Sequence, residues 1–85
     1  MITKNMTIKI PTGLEARPVA VFVQVASQFE SSIFVEYENK RVNAKSIMGM
    51  MTLGLTAGEK VKVSAEGDDE SDAISKIEEY LSCAS

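Results

Sequence analysis

The hydrophobic pattern of this chain changes period several times along its length, and those changes limit the folds it can adopt. Apolar and polar residues alternate over residues 6–10 and 61–65, which is the period of a strand with one buried face. Elsewhere apolar residues recur every three or four positions, as they do on a helix with one buried face. The predicted helical core positions are Val19, Phe22, Val23 and Ala26 in one segment and Ala73, Ile74, Ile77 and Leu81 in another.

Turn-forming residues separate these segments. Pro11 and Gly13 end the first predicted strand, and Pro18 suits the first turn of the helix that follows, where a missing N–H costs nothing. The string SIFVEY at 32–37 is rich in β-branched and aromatic residues. Because the turn ENK and the extended string RVNA come directly after it, this part of the chain predicts a β-hairpin.

Two further helices are predicted from their end signals. In KSIMGMMTLG, Ser46 can cap a short helix that Gly54 ends, and Asp69 or a neighbour can cap the last helix. The element order is then β-α-β-β-α-β-α in a single domain over residues 1–85. Such an order predicts an α+β fold, a two-layer open-faced sandwich in which three helices cover one face of a four-stranded antiparallel sheet.

The charge balance and the single cysteine argue against several classes of protein. With a formal charge of −3 and a pI near 4.9, the chain is not expected to bind nucleic acid directly. Cys83 is the only cysteine and has no basic neighbour to activate it as a nucleophile. The acidic residues at 65–72 lack the spacing of a calcium loop and predict a solvated helix entrance, so neither metal nor cofactor is expected. No segment resembles a signal peptide or a membrane span, which predicts a soluble, cytoplasmic protein.

Two predicted helix starts, at 13–18 and 45–48, are candidates for holding an anion or a phosphorylated side chain. Helix N-termini carry unpaired N–H donors and partial positive charge. Every helix has such an end, so this signal is not specific by itself. The sequences around the two helix starts give a more specific signal.

GLEARP at 13–18 and NAKSIMGMMTLG at 43–54, separated by this element order, resemble the HPr family of phosphocarrier proteins over essentially the whole chain. In that family a histidine stands where this chain has Glu15, and it accepts a phosphoryl group from enzyme I of the sugar phosphotransferase system. This chain contains no histidine. A carboxylate could form only a labile mixed anhydride and would repel the phosphate donor, so carrier activity should be lost. The chain resembles the catabolite-repression HPr-like (Crh) subgroup of low-GC Gram-positive bacteria, which lacks that histidine.

Glu15 itself allows three interpretations. It can be a carboxylate tolerated near a positive helix end once the histidine is gone. It can imitate a phosphorylated histidine for a partner, weakly, because phosphate carries more charge and more acceptor oxygens. It can also have been engineered into an ordinary HPr.

The resemblance implies that Ser46 is phosphorylated by an ATP-dependent HPr kinase/phosphorylase. Residues beside it would then dock on the catabolite control protein, a LacI-type repressor. The resemblance assigns Ile47, Met48 and Met51 to an apolar patch for this docking. We expect the first helix to add a more polar face with Arg17, Ala20 and Gln24, whereas Val21 and Val25 are interpreted as incidental surface valines.

The preferred hypothesis is a regulatory protein of carbon catabolite repression that is not an enzyme: phosphorylated on Ser46, it acts as a corepressor. The alternative is a phosphocarrier HPr, natural or engineered at position 15. An enzyme using Glu15 with Arg17 has no second positioned acid, base or metal cluster to support it. The resemblance leaves a monomer and a homodimer that exchanges its first strand both open.

Overall fold

The computed structural model describes residues 1–9 and 16–82, with the side chains of Ala16 and Arg17 outside that description. Its elements follow the predicted order, β1 Ile2–Thr7, α1 Ala16–Ser27, β2 Ser32–Tyr37, β3 Lys40–Asn43, α2 Ile47–Met51, β4 Lys60–Glu66 and α3 Glu70–Leu81. The predictions made for Ile10, Pro11, Gly13, Glu15 and Cys83 lie outside the described residues.

The four strands form one antiparallel sheet in the order β1-β4-β2-β3. β4 is central, with Val63 opposite Lys4 of β1 on one side and Val35 of β2 on the other. β1 and β3 are therefore the edges of the sheet. The predicted α+β open-faced sandwich is confirmed.

The helices cover one face of this sheet and enclose the core with it. The predicted alternation is confirmed in β4, where Val61, Val63 and Ala65 are buried and their neighbours Lys60 and Lys62 are exposed. Both predicted helical stripes are also buried, namely Val19, Phe22, Val23 and Ala26 of α1 and Ala73, Ile74, Ile77 and Leu81 of α3. The alternation in the strands and the three-to-four-residue spacing in the helices therefore mark the residues through which the two layers pack against each other.

The opposite face of the sheet carries polar and charged side chains. Arg41 of β3 pairs in register with Glu36 of β2, and Glu36 pairs with Lys62 of β4. The guanidinium carbon of Arg41 lies 4.4 Å from the centroid of the half-buried Phe34 ring and covers part of it through a cation–π contact. This face is consistent with a solvated side of an antiparallel sheet.

The start of α3 differs from the predicted cap. Asp69 occupies the N-cap position, yet its side chain makes no capping hydrogen bond. Its carboxylate instead accepts hydrogen bonds from the backbone N–H groups of Glu30, at 2.9 Å, and Ser31, at 3.0 Å, and from the Ser31 hydroxyl. Ser31 is only 1% exposed, so its polar groups need a partner within the protein. The Asp69 carboxylate is that partner, and it therefore does not cap α3.

Gly67 makes this contact between two loops sterically feasible. A Cβ atom at Gly67 would lie 2.6 Å from the Ser31 Oγ and 2.7 Å from the Ser31 Cα. No side chain fits at that separation. The hydrogen bond from the Ser31 hydroxyl, followed by that from the Glu30 N–H, holds the pKa of Asp69 below its ordinary value of 3.8.

Candidate functional site: the Ser46 corner

Ser46 lies between β3 and α2 in extended backbone, with φ −108° and ψ 113°. Its hydroxyl oxygen accepts a hydrogen bond from the Gly49 N–H at 3.1 Å, and its carbonyl accepts the first helical bond from Met50 at 3.0 Å. The Asn43 side chain supports the turn before it by accepting from the Lys45 N–H at 2.8 Å. The predicted N-cap is therefore present, on a side chain that is half-buried.

Gly49 leaves little spare room beside this hydroxyl. A Cβ atom there would lie 3.3 Å from the Ser46 Oγ and 3.4 Å from the Val42 Cβ. Glycine inside a helix usually costs stability relative to alanine. Here it lets the backbone amide reach the serine without crowding β3.

The three methionines and the isoleucine of α2 divide between the core and the surface. Met50 is fully buried, whereas Ile47 is 47% exposed, Met48 81% and Met51 49%. We call Ile47, Met48 and Met51 the apolar strip. It borders Ser46 in sequence and in space, since Ser46 directly precedes the helix that carries it. Exposed apolar side chains grouped in this way mark a contact surface more often than scattered single ones do.

The predicted second surface lies on α1, which packs against α2. Ala20 is half-buried and Gln24 is exposed, while Arg17 lies in the first turn of the helix by its backbone. Of the two valines interpreted as incidental, Val21 is 39% exposed and Val25 packs against the core. The helix thus presents a polar residue and a small residue on the side away from its buried stripe.

The lysines around α2 are engaged with backbone carbonyls. Lys45 donates from Nζ to the Phe29 oxygen at 2.7 Å, and Lys40 donates to the Thr52 oxygen at 3.3 Å, just past the end of α2. Sequence reasoning missed both contacts, because each joins segments that are distant in the chain. Lys45 is therefore not held against the Ser46 hydroxyl, although it is its neighbour in sequence.

Nothing in the described part of the chain activates Ser46 as a nucleophile. Its hydroxyl oxygen accepts a hydrogen bond from the Gly49 amide, which is not a base. The side chains with shifted pKa values lie away from Ser46. One such pair is Tyr37 and Glu59: their hydrogen bond raises the pKa of Tyr37 to about 12 and lowers the pKa of Glu59. Modification of Ser46 would therefore depend on an external catalyst.

The second predicted site, at residue 15, lies outside the described residues, but both stems that flank it are described. The Lys9 N–H donates to the Leu81 oxygen at 2.9 Å. The Tyr80 hydroxyl donates to the Pro18 oxygen at 2.9 Å, and the Tyr80 ring lies 6.2 Å from that of Phe22. Both stems are thus tied to the last turn of α3.

Neither a metal centre nor a membrane span is found in residues 1–9 and 16–82. These residues contain no group of three or more His, Cys, Asp or Glu side chains that could hold a metal ion. None of the helices described there is long and apolar enough to cross a membrane.

Residues 2–82 match the family described as "PTS HPr component phosphorylation site". The chain is 44% identical over 81 residues to the HPr-like protein Crh of Bacillus subtilis and to that of Halalkalibacterium halodurans. The matches cover 95% of this chain and 95% and 96% of those relatives.

Solved structures show the same fold. The HPr-C-His protein of Thermoanaerobacter tengcongensis superposes with a TM-score of 0.91 at 56% identity, covering 95% of this chain and 91% of the other. The phosphocarrier protein HPr of Bacillus anthracis gives 0.92 at 40% identity, covering 94% and 95%. Crh of Bacillus subtilis, described as a dimer with a swapping domain, gives 0.76 at 44% identity, covering 95% and 93%. The chain belongs to the HPr family of the phosphotransferase system.

Proposed function

We propose that this protein is a cytoplasmic, non-catalytic regulator of carbon catabolite repression in a Gram-positive bacterium. HPr kinase/phosphorylase phosphorylates it on Ser46, and the phosphorylated form is the corepressor of the catabolite control protein. One observation carries the proposal: Ser46 caps α2 while three exposed apolar side chains, Ile47, Met48 and Met51, lie beside it. A modifiable hydroxyl and a docking surface are thus adjacent on one short helix.

The local geometry favours a phosphate at Ser46 without unfolding of α2. The Gly49 N–H already points at the serine oxygen, and a phosphoryl group brings about −1.5 to −2 charges and three further acceptor oxygens to that amide. We expect a small local stabilisation and a new anionic feature at the surface. Because Lys45 and Lys40 donate to carbonyl oxygens, much of the phosphate charge would be left for a partner.

The partner surface would combine the apolar strip with Arg17, Ala20 and Gln24 of α1. α1 packs against α2, which supports one continuous surface. Ala20 permits close approach of a partner, and Arg17 can pair with its carboxylates. Contact with DNA would belong to the catabolite control protein, in keeping with the acidic pI of this chain.

Either a monomer or a strand-swapped homodimer is compatible with this function. Within the described residues β1 is an edge strand that pairs with β4 alone, so exchange of β1 between copies would preserve that pairing. The Crh crystal structure described as a swapping-domain dimer supports the second state.

The second candidate function is a phosphocarrier of the sugar phosphotransferase system. The names of the similar HPr structures and the matched family favour it. The absence of histidine from the whole chain speaks against it, because the carrier chemistry uses a nitrogen nucleophile at the position of Glu15. Glu15 would be a tolerated carboxylate or a weak imitation of phosphohistidine for a partner in the regulator, and an engineered residue in an altered carrier.

Intact-mass measurement after two separate incubations distinguishes the two functions. One reaction contains ATP and HPr kinase/phosphorylase, and the other contains phosphoenolpyruvate and enzyme I. We expect one added phosphoryl group in the ATP reaction only. Its absence from Ser46→Ala, and its retention in Ser71→Ala, an exposed serine in the first turn of α3, would assign it to Ser46.

Two outcomes would overturn the proposal. Labelling of Ser46→Ala by the kinase would place the modification elsewhere. Labelling of the unmodified sequence by phosphoenolpyruvate would mean that Glu15 or another residue accepts phosphate, and the carrier function would then replace the regulatory one.

A further inference from the structure

The methionines of α2 differ widely in access to solvent. Met48 is 81% exposed and Met51 is 49% exposed, whereas Met50, between them in sequence, is fully buried. Met6 of β1 is also buried, at 4%. Because a soluble oxidant must reach the thioether sulfur to react with it, one helix contains both reactive and protected methionines.

Oxidation would change the physical character of the apolar strip. A thioether is flexible, polarizable and apolar, which suits it to a protein contact. A sulfoxide places a polar S–O bond at the same position, and a partner that covers it must either supply a hydrogen-bond donor or bear the cost of burying it without one. Two of the three side chains in the strip are open to this change.

We propose that Met48 and Met51 are a reversible oxidation site that controls docking at the Ser46 corner. Hydrogen peroxide, or another oxidant of the peroxide class, transfers one oxygen atom to each sulfur. The sulfur loses two electrons and becomes a sulfoxide, and the peroxide is reduced to water. Methionine sulfoxide reductase removes the oxygen at the expense of a thiol reductant, which is oxidised to a disulfide while the oxygen leaves as water.

The consequence for docking depends on the proposed function, in which the same strip contacts the catabolite control protein. Phosphorylation of Ser46 would add an attractive group at the beginning of α2, and oxidation would remove an attractive surface along it. The protein would then be a corepressor only when Ser46 is phosphorylated and both methionines are reduced.

The first test measures the chemistry without any partner. The protein is treated with a small excess of hydrogen peroxide, and sulfoxide formation at each methionine is followed over time by peptide mapping. We expect Met48 to react first and Met1, which is 68% exposed, and Met51 to follow, with Met50 and Met6 at least about tenfold slower because they are buried. Equal rates at Met48 and Met50 would overturn the proposed site.

The second test measures docking of the Ser46-phosphorylated protein on the catabolite control protein by calorimetry. We expect sulfoxides at Met48 and Met51 to raise the Kd by about tenfold or more, and reductase treatment to reverse the change. The control is the double variant Met48→Leu with Met51→Leu, compared before and after peroxide with its own untreated Kd. It keeps Met1 and Cys83, so a change of less than about twofold in its Kd assigns the effect to the strip.

The outcomes separate this inference from the function on which it rests. If the untreated phosphoprotein binds and the sulfoxides leave its Kd unchanged, only the oxidation switch is overturned. An equal loss of binding in the leucine variant would also overturn it, since Met1 or Cys83 would then be responsible. If the untreated phosphoprotein does not bind at all, the proposed function fails and the switch fails with it.

Discussion

The starts of α2 and α3 look alike in sequence, since each places a short polar side chain before a helix, but they are built differently. Ser46 caps its own helix through the Gly49 amide, three residues away. Asp69 makes no cap and binds Glu30 and Ser31, nearly forty positions earlier in the chain. The first contact is local, and the second joins two loops.

This difference indicates which corner can be modified without harm to the fold. The hydroxyl of Ser46 is half-buried and accepts one hydrogen bond, from the Gly49 N–H, which a phosphate oxygen could accept in its place. The Asp69 carboxylate satisfies three donors around a buried serine, so any change there disturbs the packing of the two loops. We therefore expect variants at the Asp69 corner to change stability and variants at the Ser46 corner to change binding.

Gly67→Ala should have the largest effect on folding. The added Cβ would overlap with the Ser31 backbone, and we expect a loss of about 2–4 kcal/mol in the free energy of unfolding, measured in urea. Gly54→Ala is a control for positive φ, because φ is +59° at Gly54 and +155° at Gly67, and no atom lies within 4 Å of the missing Cβ of Gly54. It should cost only about 1 kcal/mol. Equal costs would show that backbone conformation, and not the contact with Ser31, determines the effect.

Asp69→Asn should lower stability and flatten its dependence on acid. The pKa of Asp69 is lower in the folded protein than its ordinary value of 3.8, mainly because the Ser31 hydroxyl donates to the ionised form. Its contribution is therefore complete above pH 3.8 and is lost as the pH falls below that value through the folded pKa.

Urea midpoints measured from neutral pH down into this acid range give the comparison. They should fall less steeply for Asp69→Asn than for the unchanged protein. A smaller slope should remain in the variant, because the hydrogen bond from Tyr37 also lowers the pKa of Glu59. Identical slopes in the two proteins would contradict the role given to the Asp69 carboxylate.

Met48→Asp should weaken partner binding while leaving the fold intact. The side chain is 81% exposed, so we expect the free energy of unfolding to change by less than about 0.5 kcal/mol. The Kd of the Ser46-phosphorylated variant for the catabolite control protein should rise by about tenfold, since a carboxylate replaces an apolar contact next to the phosphate. Unchanged affinity would remove Met48 from the docking surface.

Ser46→Ala should destabilise the fold much less than Gly67→Ala. Loss of the cap removes one hydrogen bond to the Gly49 amide, which solvent can replace in part, and we expect a cost of about 0.5–1 kcal/mol in urea unfolding. A loss of unfolding free energy as large as that of Gly67→Ala would mean that the two helix starts contribute similarly to stability.

Local periodicity was sufficient to predict most of the fold. The stripes at Val19 and Phe22 and at Ile74 and Ile77 are buried as expected, because a helix that covers one face of a sheet must repeat its apolar residues with its own turn. The serine cap of α2 could also be predicted, since donor and acceptor are three residues apart. Each of these features depends on neighbours in the chain.

Contacts between distant segments could not be predicted in the same way. No pattern around Asp69 indicates that its carboxylate turns toward Ser31, and none around Lys45 indicates that its ammonium group binds the Phe29 carbonyl. Both depend on where the sheet order brings the loops. For the candidate site, the family resemblance pointed to Ser46 and the apolar strip, while their functional roles remain predictions.

The ties between α3 and the stems around residues 10–15 have a consequence for local opening of the structure. The Lys9 amide is protected only while the Leu81 carbonyl is in place, and the first turn of α1 is held by Tyr80 from the same helical turn. Fraying of that turn would release both stems together. In hydrogen exchange, the protection of Lys9 and of Ser82, whose amide closes the same turn, should therefore rise and fall as one cooperative unit.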